Sequence, residues 1–423
     1  MYAECYGRRM DETMDERKFS ILREKLMESL EGYREICDAE IYQNIDKLIL
    51  ESAGEVYIRL AERNELRKEL FNSVRRLDIL QELIDDNTVT EIMVNGTDGI
   101  FIERNGRLTL WNKCFLARER VEDIAQQIVG KCNRIVNESV PIVDARLENG
   151  ARVNIVMPPV ALNGPIITIR RFPDTPIQMN QLIRWAAISE EAVEFLKVLV
   201  HAGYNIFISG GTGSGKTTFM NALSDFIPKD ERIITIEDNA ELQIQGVKNL
   251  VRLEARNANT EGKREITIRD LIRSSLRMRP DRILIGEVRG SEAIDLLQAL
   301  NTGHDGSIST GHANSPQDML SRLETMVLMG MELPLSAVRR QIASGIDIIV
   351  HLGRLRDKSR KVLQIIEILG YDTASGEIQT SVLYEYKEDG EDACGNIMGD
   401  LQKVQSLQKK QKLHRAGYLL KDE

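Results

Sequence analysis

The run Ser209-Gly-Gly-Thr-Gly-Ser-Gly-Lys-Thr-Thr218 restricts this chain more than any other stretch. Gly210, Gly215, Lys216 and Thr217 fit the phosphate-loop pattern G-x-x-x-x-G-K-[ST]. Glycine at Gly210, Gly211, Gly213 and Gly215 lets the backbone turn tightly, so that amide N–H groups point inward at a triphosphate. Lys216 brings a point charge to the β/γ-phosphates, and Thr217 brings a hydroxyl to Mg²⁺. Thr212, Ser214 and Thr218 complete the expected ATP-binding stretch. Its flanks agree. Tyr204-Asn-Ile-Phe-Ile-Ser209 reads as a short buried strand, and Thr217 to Ile227 as a helix stopped by Pro228 with its N-terminal dipole facing the phosphates. ATP and Mg²⁺ are the cofactors implied.

Composition narrows the class. A chain of 423 residues suggests roughly two to four domains, and 42% hydrophobic content is ordinary for a globular protein. The net charge of −9 argues against nucleic acid as the main partner. No apolar run approaches the ~20 residues that span a bilayer, and Met1 to Met14 is charged rather than signal-like. The expectation is a cytoplasmic protein. Cys5, Cys37, Cys114, Cys132 and Cys394 are scattered without a C-x-x-C pair, which indicates neither zinc site nor disulfide framework.

Residues 1–76 are predicted to be a helical N-terminal region. Phe19, Leu22, Leu26, Leu30 and Tyr33, then Ile41, Ile45, Leu48 and Ile49, recur at helical spacing on one stripe. That stripe suits either a docking module for a partner or a plain helical extension. Residues 77–171 read as a small α+β domain. Its strands are Thr90 to Asn95, Gly99 to Glu103, a hairpin from Asp144 to Val156 turning at Asn149-Gly150, and Ile166 to Arg171. Its helix runs from Arg118 to Asn133, with Val121, Ile124, Ala125, Ile128 and Val129 on one face. A linker is expected over 172–185. Residues 186–384 alternate helices with β-rich runs at Asn205 to Ser209, Arg232 to Glu237, Arg282 to Gly286, Ser307 to Thr310 and Ile346 to Val350. This pattern implies a mainly parallel, helix-covered sheet, extended by Lys361 to Leu369 and Gln379 to Tyr384. Residues 385–423 read as a polar tail, partly disordered or weakly helical.

Two strands after the phosphate loop finish in carboxylates, where open α/β sheets place their sites. Thr235-Ile-Glu237-Asp238 ends one, with Glu237 the candidate and Asp238 its rival; Glu287 and Arg289 end the other. A carboxylate at such a tip suits Mg²⁺ or its water shell, so the metal candidates are Thr217 and Glu287, the latter through water. Thr302 to Asn314 holds two of only five histidines, His304 and His312, in a glycine-bearing polar run suited to a γ-phosphate. His201 and His351 are assigned structural roles. Arginines are dense from Arg252 to Arg289, notably Arg273, Arg277, Arg279 and Arg282. Arg170, Arg171, Arg339 and Arg340 are the candidates for supply to a neighbouring subunit's phosphates, with structural ion pairs as the alternative for each.

These motifs, with Thr235 to Glu241, Leu276 to Gly290 and Gly303 to Asn314 in that order, resemble the secretion motor ATPases of type II and type IV secretion and type IV pili. The resemblance covers about Leu77 to Tyr371. Asp144-Ala-Arg-Leu, Arg152-Val-Asn-Ile and Ile167-Thr-Ile-Arg-Arg-Phe172 look most like the CpaF-type branch that drives Tad/Flp pilus assembly. It implies an α/β fold with a RecA-like P-loop domain, a smaller PAS-like N-terminal lobe and the helical extension. It implies a homo-hexamer that hydrolyses ATP near the lobe interface and works on an inner-membrane platform protein, reaching the membrane face through partners. Glu237 then matches the water-orienting glutamate, Glu287 the Walker B glutamate, and His304 and His312 the histidine box. Asn239 and Gly311 depart from the usual residues at their positions.

Three alternatives stay open: a type IV secretion ATPase for effector or DNA transfer, a RecA-like nucleic-acid translocase, and a nucleotide-gated scaffold with little turnover. The acidic balance and the lack of an interleaved basic–aromatic patch oppose the second. The presence of both Glu237 and Glu287 opposes the third.

Overall fold

The computed structural model describes residues 19–30, 36–52, 62–104, 106–132, 134–171, 176–256, 265–393 and 395–418. Expectations for Met1 to Met14, Tyr33 and the segment 172–175 lie outside the described residues. The chain forms two compact units that divide at 173/174.

In the first unit the apolar stripe folds onto itself. Helix α1 (19–30), α2 (Asp38–Glu51) and α3 (Arg63–Arg75) enclose Leu22, Leu26, Ile41, Ile45, Ile49, Leu70 and Phe71. Tyr42 stacks on Phe71 at 4.2 Å between ring centroids, and Arg67 covers the Tyr42 ring while its guanidinium grips Asp46. The stripe read as a possible docking face is therefore an internal core. A helix α4 (Leu80–Asp85) leads into a six-stranded antiparallel sheet. Its strands are β1 (Val89–Asn95), β2 (Ile100–Arg104), β3 (Arg107–Leu110), β4 (Ile142–Arg146), β5 (Arg152–Val156) and β6 (Ile166–Arg170), ordered 3-2-1-6-5-4. Helix α5 (Arg118–Lys131) buries Val121, Ile124, Ala125, Ile128 and Val129 in the same core as Ile92, Ile102, Ile155 and Ile167, the face anticipated for it. The turn at Asn149-Gly150 forms as expected, with Gly150 at φ +85°, a region glycine enters without a Cβ penalty.

The second unit is a nine-stranded sheet ordered β15-β14-β13-β12-β7-β11-β10-β8-β9. Six strands run parallel to one another: β7 (Ile206–Gly210), β8 (Arg232–Glu237), β9 (Asn249–Glu254), β10 (Arg282–Ile285), β11 (Ile308–Gly311) and β12 (Ile348–Arg354). Then β13 (Arg360–Tyr371), β14 (Ile378–Glu391) and β15 (Ile397–Lys403) continue antiparallel. Short α6 (Met179–Arg184) lies inside the span expected as linker. With α7 (Glu190–His201) and α8 (Lys216–Ser224) it covers one face, packing Leu196, Leu199, Phe219 and Leu223 on Ile206 and Ile208. Helices α9 (Ile268–Ser275), α10 (Ala293–Leu300), α11 (Pro316–Gly330) and α12 (Leu335–Gly345) cover the other, packing Ile272, Leu297, Leu323 and Ile342 with Phe207, Ile236 and Ile285. Alternate side chains of one strand thus enter opposite cores, as a sheet buried on both faces requires.

The polar-tail expectation for 385–423 is corrected. Strand β14 runs to Glu391, β15 pairs along it, and α13 (Gln411–Arg415) buries Leu413. Lys412 donates to Gly203 O and to the carboxylates of Asp305 and Asp347, fastening this segment to the N-terminal ends of the central strands.

Candidate functional site

Where β7, β8, β10 and β11 finish, four polar segments emerge side by side. The first is the glycine loop. Fully buried β7 delivers Gly210 into the turn, and Gly215, at φ +94°, starts α8. A Cβ on Gly210 would collide with Leu352 O and Ser214 Oγ, so no other residue fits that approach. The Lys216 ammonium donates to Gly210 O and Gly211 O at 3.1 and 3.0 Å and lies 3.2 Å from His312 Nδ1.

From Lys216 a continuous polar chain crosses the strand ends. His312 Nε2 lies 2.8 Å from Glu287 Oε1. Arg289 Nη2 donates to Glu287 Oε2 at 2.7 Å, and its Nη1 is 3.6 Å from Asp238 Oδ2. Burial, then the Lys216 charge, hold the His312 imidazole below its ordinary value. A neutral ring accepts from Lys216 at Nδ1, while Nε2 sits beside Glu287 Oε1 without an aligned hydrogen bond. Burial lowers Lys216 as well, against the pull of Glu287.

Glu237 is the most enclosed acid of the site, 2% exposed. Its Oε1 accepts the Glu241 and Leu242 amides at 2.8 Å each, which folds the 238–242 turn over it; Arg252 holds the same turn through Leu242 O. Burial outweighs those two hydrogen bonds and pushes the carboxyl up to about 7. A Cβ on Gly286 would sit 3.0 Å from Glu237 Cγ, so the residue before Glu287 must be small for Glu237 to lie flat. Gly311 is explained the same way: a Cβ there would lie 2.9 Å from Phe207 Cε1 and 3.1 Å from Met319 Sδ.

Three buried polar atoms of these segments lack an aligned hydrogen-bond partner: Glu237 Oε2, Glu287 Oε1 and Ser214 Oγ. Buried groups of this kind ordinarily find partners, so these three atoms, on the glycine loop and the acidic strand tips, are open to polar ligand atoms. The Thr217 hydroxyl and Glu287 carboxylate are hard oxygen donors of the type Mg²⁺ selects, and Glu287 Oε1 still has acceptor capacity. The residues present fit the metal.

Not every expected residue joins the site. His304 Nδ1 bonds Ala299 O at the end of α10, and His304 O accepts from Ser307 Oγ before β11 begins. His312 follows the other end of β11, so the strand's length, about 13 Å for four residues, separates the two histidines. His304 is therefore a turn residue at the N-terminal end of β11, away from the site. Arg171 is held by Asn87 Oδ1 and by the carbonyls of Asp86 and Val89, and Arg339 by Glu324, Glu377 and Gly376 O. Both are structural within their own units. Arg170, with a loose 3.6 Å pair to Glu91, and Arg340, laid over the Tyr371 ring, are exposed. Arg282 is 3% exposed and clamped to Glu231; Arg273 pairs with Asp295. His351 is structural as expected, buried, with Nδ1 2.9 Å from Ser209 Oγ below the glycine loop. Missed by the sequence reading were Asp318 and Arg322, which line a cleft of about 520 Å³ with Gly211, Thr212, His312 and Asn314.

Comparison with known proteins gives one family. The model for type II/IV secretion system proteins matches residues 74–410. A putative conjugal transfer protein of Mycobacterium tuberculosis is 34% identical over 312 residues, covering 72% of this chain and 87% of the relative. The type IV secretion system protein PtlH of Bordetella pertussis is 36% identical over 309 residues, covering 66% of this chain and 89% of the relative. Among solved structures, the VirB11 ATPase of the Brucella suis type IV secretion system, in complex with sulphate, is 30% identical over 68% of this chain and 91% of that one, with a TM-score of 0.38.

Proposed function

The chain belongs to the type II/IV secretion system protein family, and from that premise we propose that it hydrolyses ATP to drive a secretion or pilus-assembly machine. One observation carries the proposal: the unbroken contact chain Lys216–His312–Glu287–Arg289–Asp238 ties the glycine loop to the acidic strand tips. A site of that build detects a triphosphate at one end and repositions acids at the other. Lys216 would reach a bound γ-phosphate by exchanging its contacts to Gly210 O and Gly211 O, and with them its contact to His312. Bound Mg²⁺ would be held by Thr217 and Glu287 and would neutralise charge on the β- and γ-oxygens. Glu237, poised near neutrality, takes the proton of the attacking water as general base. His312 stays neutral beside Glu287.

The wider assignment follows the family. We place the protein in a homo-hexamer at the inner face of the cytoplasmic membrane, acting on an inner-membrane platform protein, with exposed Arg170 and Arg340 as the arginines offered to a neighbouring subunit. No helix among the described residues is long and apolar enough to cross a membrane, which accords with attachment through partners. The motifs that resemble the CpaF-type branch favour Tad/Flp pilus assembly. A second reading, type IV secretion or conjugal transfer, is favoured by the names of the relatives.

Phosphate release from Mg-ATP tests the activity: turnover by the wild type and loss in Lys216→Ala and Glu287→Gln support it, and equal rates in all three refute it. Mass measurement of Glu287→Gln with ATP tests the ring, which a persistent monomer would refute. Strong stimulation by DNA, with none by pilin or platform partners, would move the assignment to a nucleic-acid translocase.

A further inference from the structure

The turn from β12 into β13, spanning the strand ends at Arg354 and Arg360, touches both the glycine loop and the C-terminal strands. Arg360 Nε donates to Gly213 O at 2.9 Å, at the crest of the glycine loop, and Arg360 Cδ lies 3.5 Å from where a Cβ of Gly215 would stand. This is a contact across 147 positions of sequence. The guanidinium is exposed, and its two terminal nitrogens make no hydrogen bond among the described residues. The loop is fixed from behind. Arg356 forks onto the Glu388 carboxylate, at 2.8 Å for the Nη1 arm, and adds Glu391 at 2.8 Å through Nε. Asp357 accepts Ser359 N and Oγ on one oxygen and the Ile397 amide, at 2.9 Å, on the other. The β14–β15 hairpin therefore grips 354–360 at two points, and 354–360 grips the glycine loop at a third.

We propose that Arg360 is a positioning residue for the nucleotide-binding loop and that the β14–β15 hairpin, through Arg356 and Asp357, holds it there. A bidentate Arg–carboxylate pair fixes direction as well as distance, unlike a lone surface ion pair. The Gly213 carbonyl shares one peptide plane with the Ser214 N–H, which donates to Gly211 O at 3.3 Å inside the loop, and Arg360 supplies the outer donor that fixes that plane. Its charge, one residue-width from the cradle, also adds to the positive field a polyphosphate meets. Movement of the hairpin would thereby change nucleotide affinity, and bound nucleotide would stiffen the hairpin.

This inference rests on the nucleotide-binding reading, so calorimetric titration with Mg-ADP includes wild type and Lys216→Ala as references. A hydrogen bond to a charged group corresponds to roughly a tenfold change in binding. Arg360→Ala is expected to weaken Mg-ADP about tenfold, with the ligand-free melting temperature unchanged. Arg360→Lys, which keeps charge and one donor, should recover most of the loss. Arg356→Ala should weaken binding several-fold, and the double variant should be no weaker than Arg360→Ala, because both act along one line of contact. Wild-type affinity in Arg360→Ala overturns the proposal. Additive losses in the double variant overturn the hairpin's part in it. If the wild type itself ignores Mg-ADP, the underlying reading fails instead.

Discussion

Replacing Glu237 by Gln isolates the energetic consequence of burying an acid at this site. The carboxyl is 2% exposed and lifted from 4.5 to about 7, chiefly by burial. That displacement corresponds to about 3 kcal/mol of differential interaction. The sign follows from proton counting. Below pH 4.5 the folded and unfolded chains both carry the proton, and burial of the charge is not an issue. Between pH 4.5 and 7 the unfolded chain ionises while the folded chain holds its proton, so stability falls as pH rises. Above pH 7 the full penalty is present. Gln keeps the acceptor for the Glu241 and Leu242 amides and never ionises. The stability difference between Glu237→Gln and wild type should therefore grow in the variant's favour by about 3 kcal/mol from pH 4.5 to 8, with most of the change complete by pH 7. Urea unfolding followed by Trp185 fluorescence, in a Trp111→Phe background, reads the second unit alone. A difference that stays constant across that range would refute the burial argument. In kinetics, kcat/KM of the wild type should rise through an acid limb centred near pH 7, since that ratio reports the free enzyme's base.

Other outcomes follow from the same geometry. Glu231→Ala, which leaves buried Arg282 without its carboxylate, should cost roughly 3–5 kcal/mol of stability by denaturant titration. His304→Ala should leave ATP turnover within about twofold of wild type, whereas His312→Ala, which breaks the contact chain, should reduce it by about two orders of magnitude. Gly311→Leu should destabilise the second unit by about 1–3 kcal/mol, because Phe207 and Met319 already fill the space beside it.

Much of the site was legible because its chemistry is contiguous in sequence. The glycine loop, the strand before it and the helix after it form one uninterrupted run, and Glu237 and Glu287 each close an apolar strand whose burial is visible in residue type. His304 was misplaced for a complementary reason. Eight positions look close in a sequence, but β11 lies between His304 and His312 and carries them to opposite ends of the strands. Strands β9 and β15 were missed because they are sheet edges: alternating exposed positions such as Asn249, Glu254, Met398 and Gln402 read as polar chain without a core. Arg171 and Arg339 looked free because ion pairs and carbonyl partners tens of residues away leave no local pattern. Arg360 was invisible for the same reason, its partner lying 147 positions earlier. The helical N-terminal stripe was read correctly as a stripe, but only packing shows that three helices bury it against one another.

The central claim is that the glycine loop and acidic strand tips bind a magnesium triphosphate. Calorimetric titration of the folded protein with Mg-ATPγS tests it most directly. The account predicts saturable binding at one nucleotide per chain, lost in Lys216→Ala while that variant's circular dichroism stays unchanged. No heat from the folded wild type, or equal binding by Lys216→Ala, would contradict it.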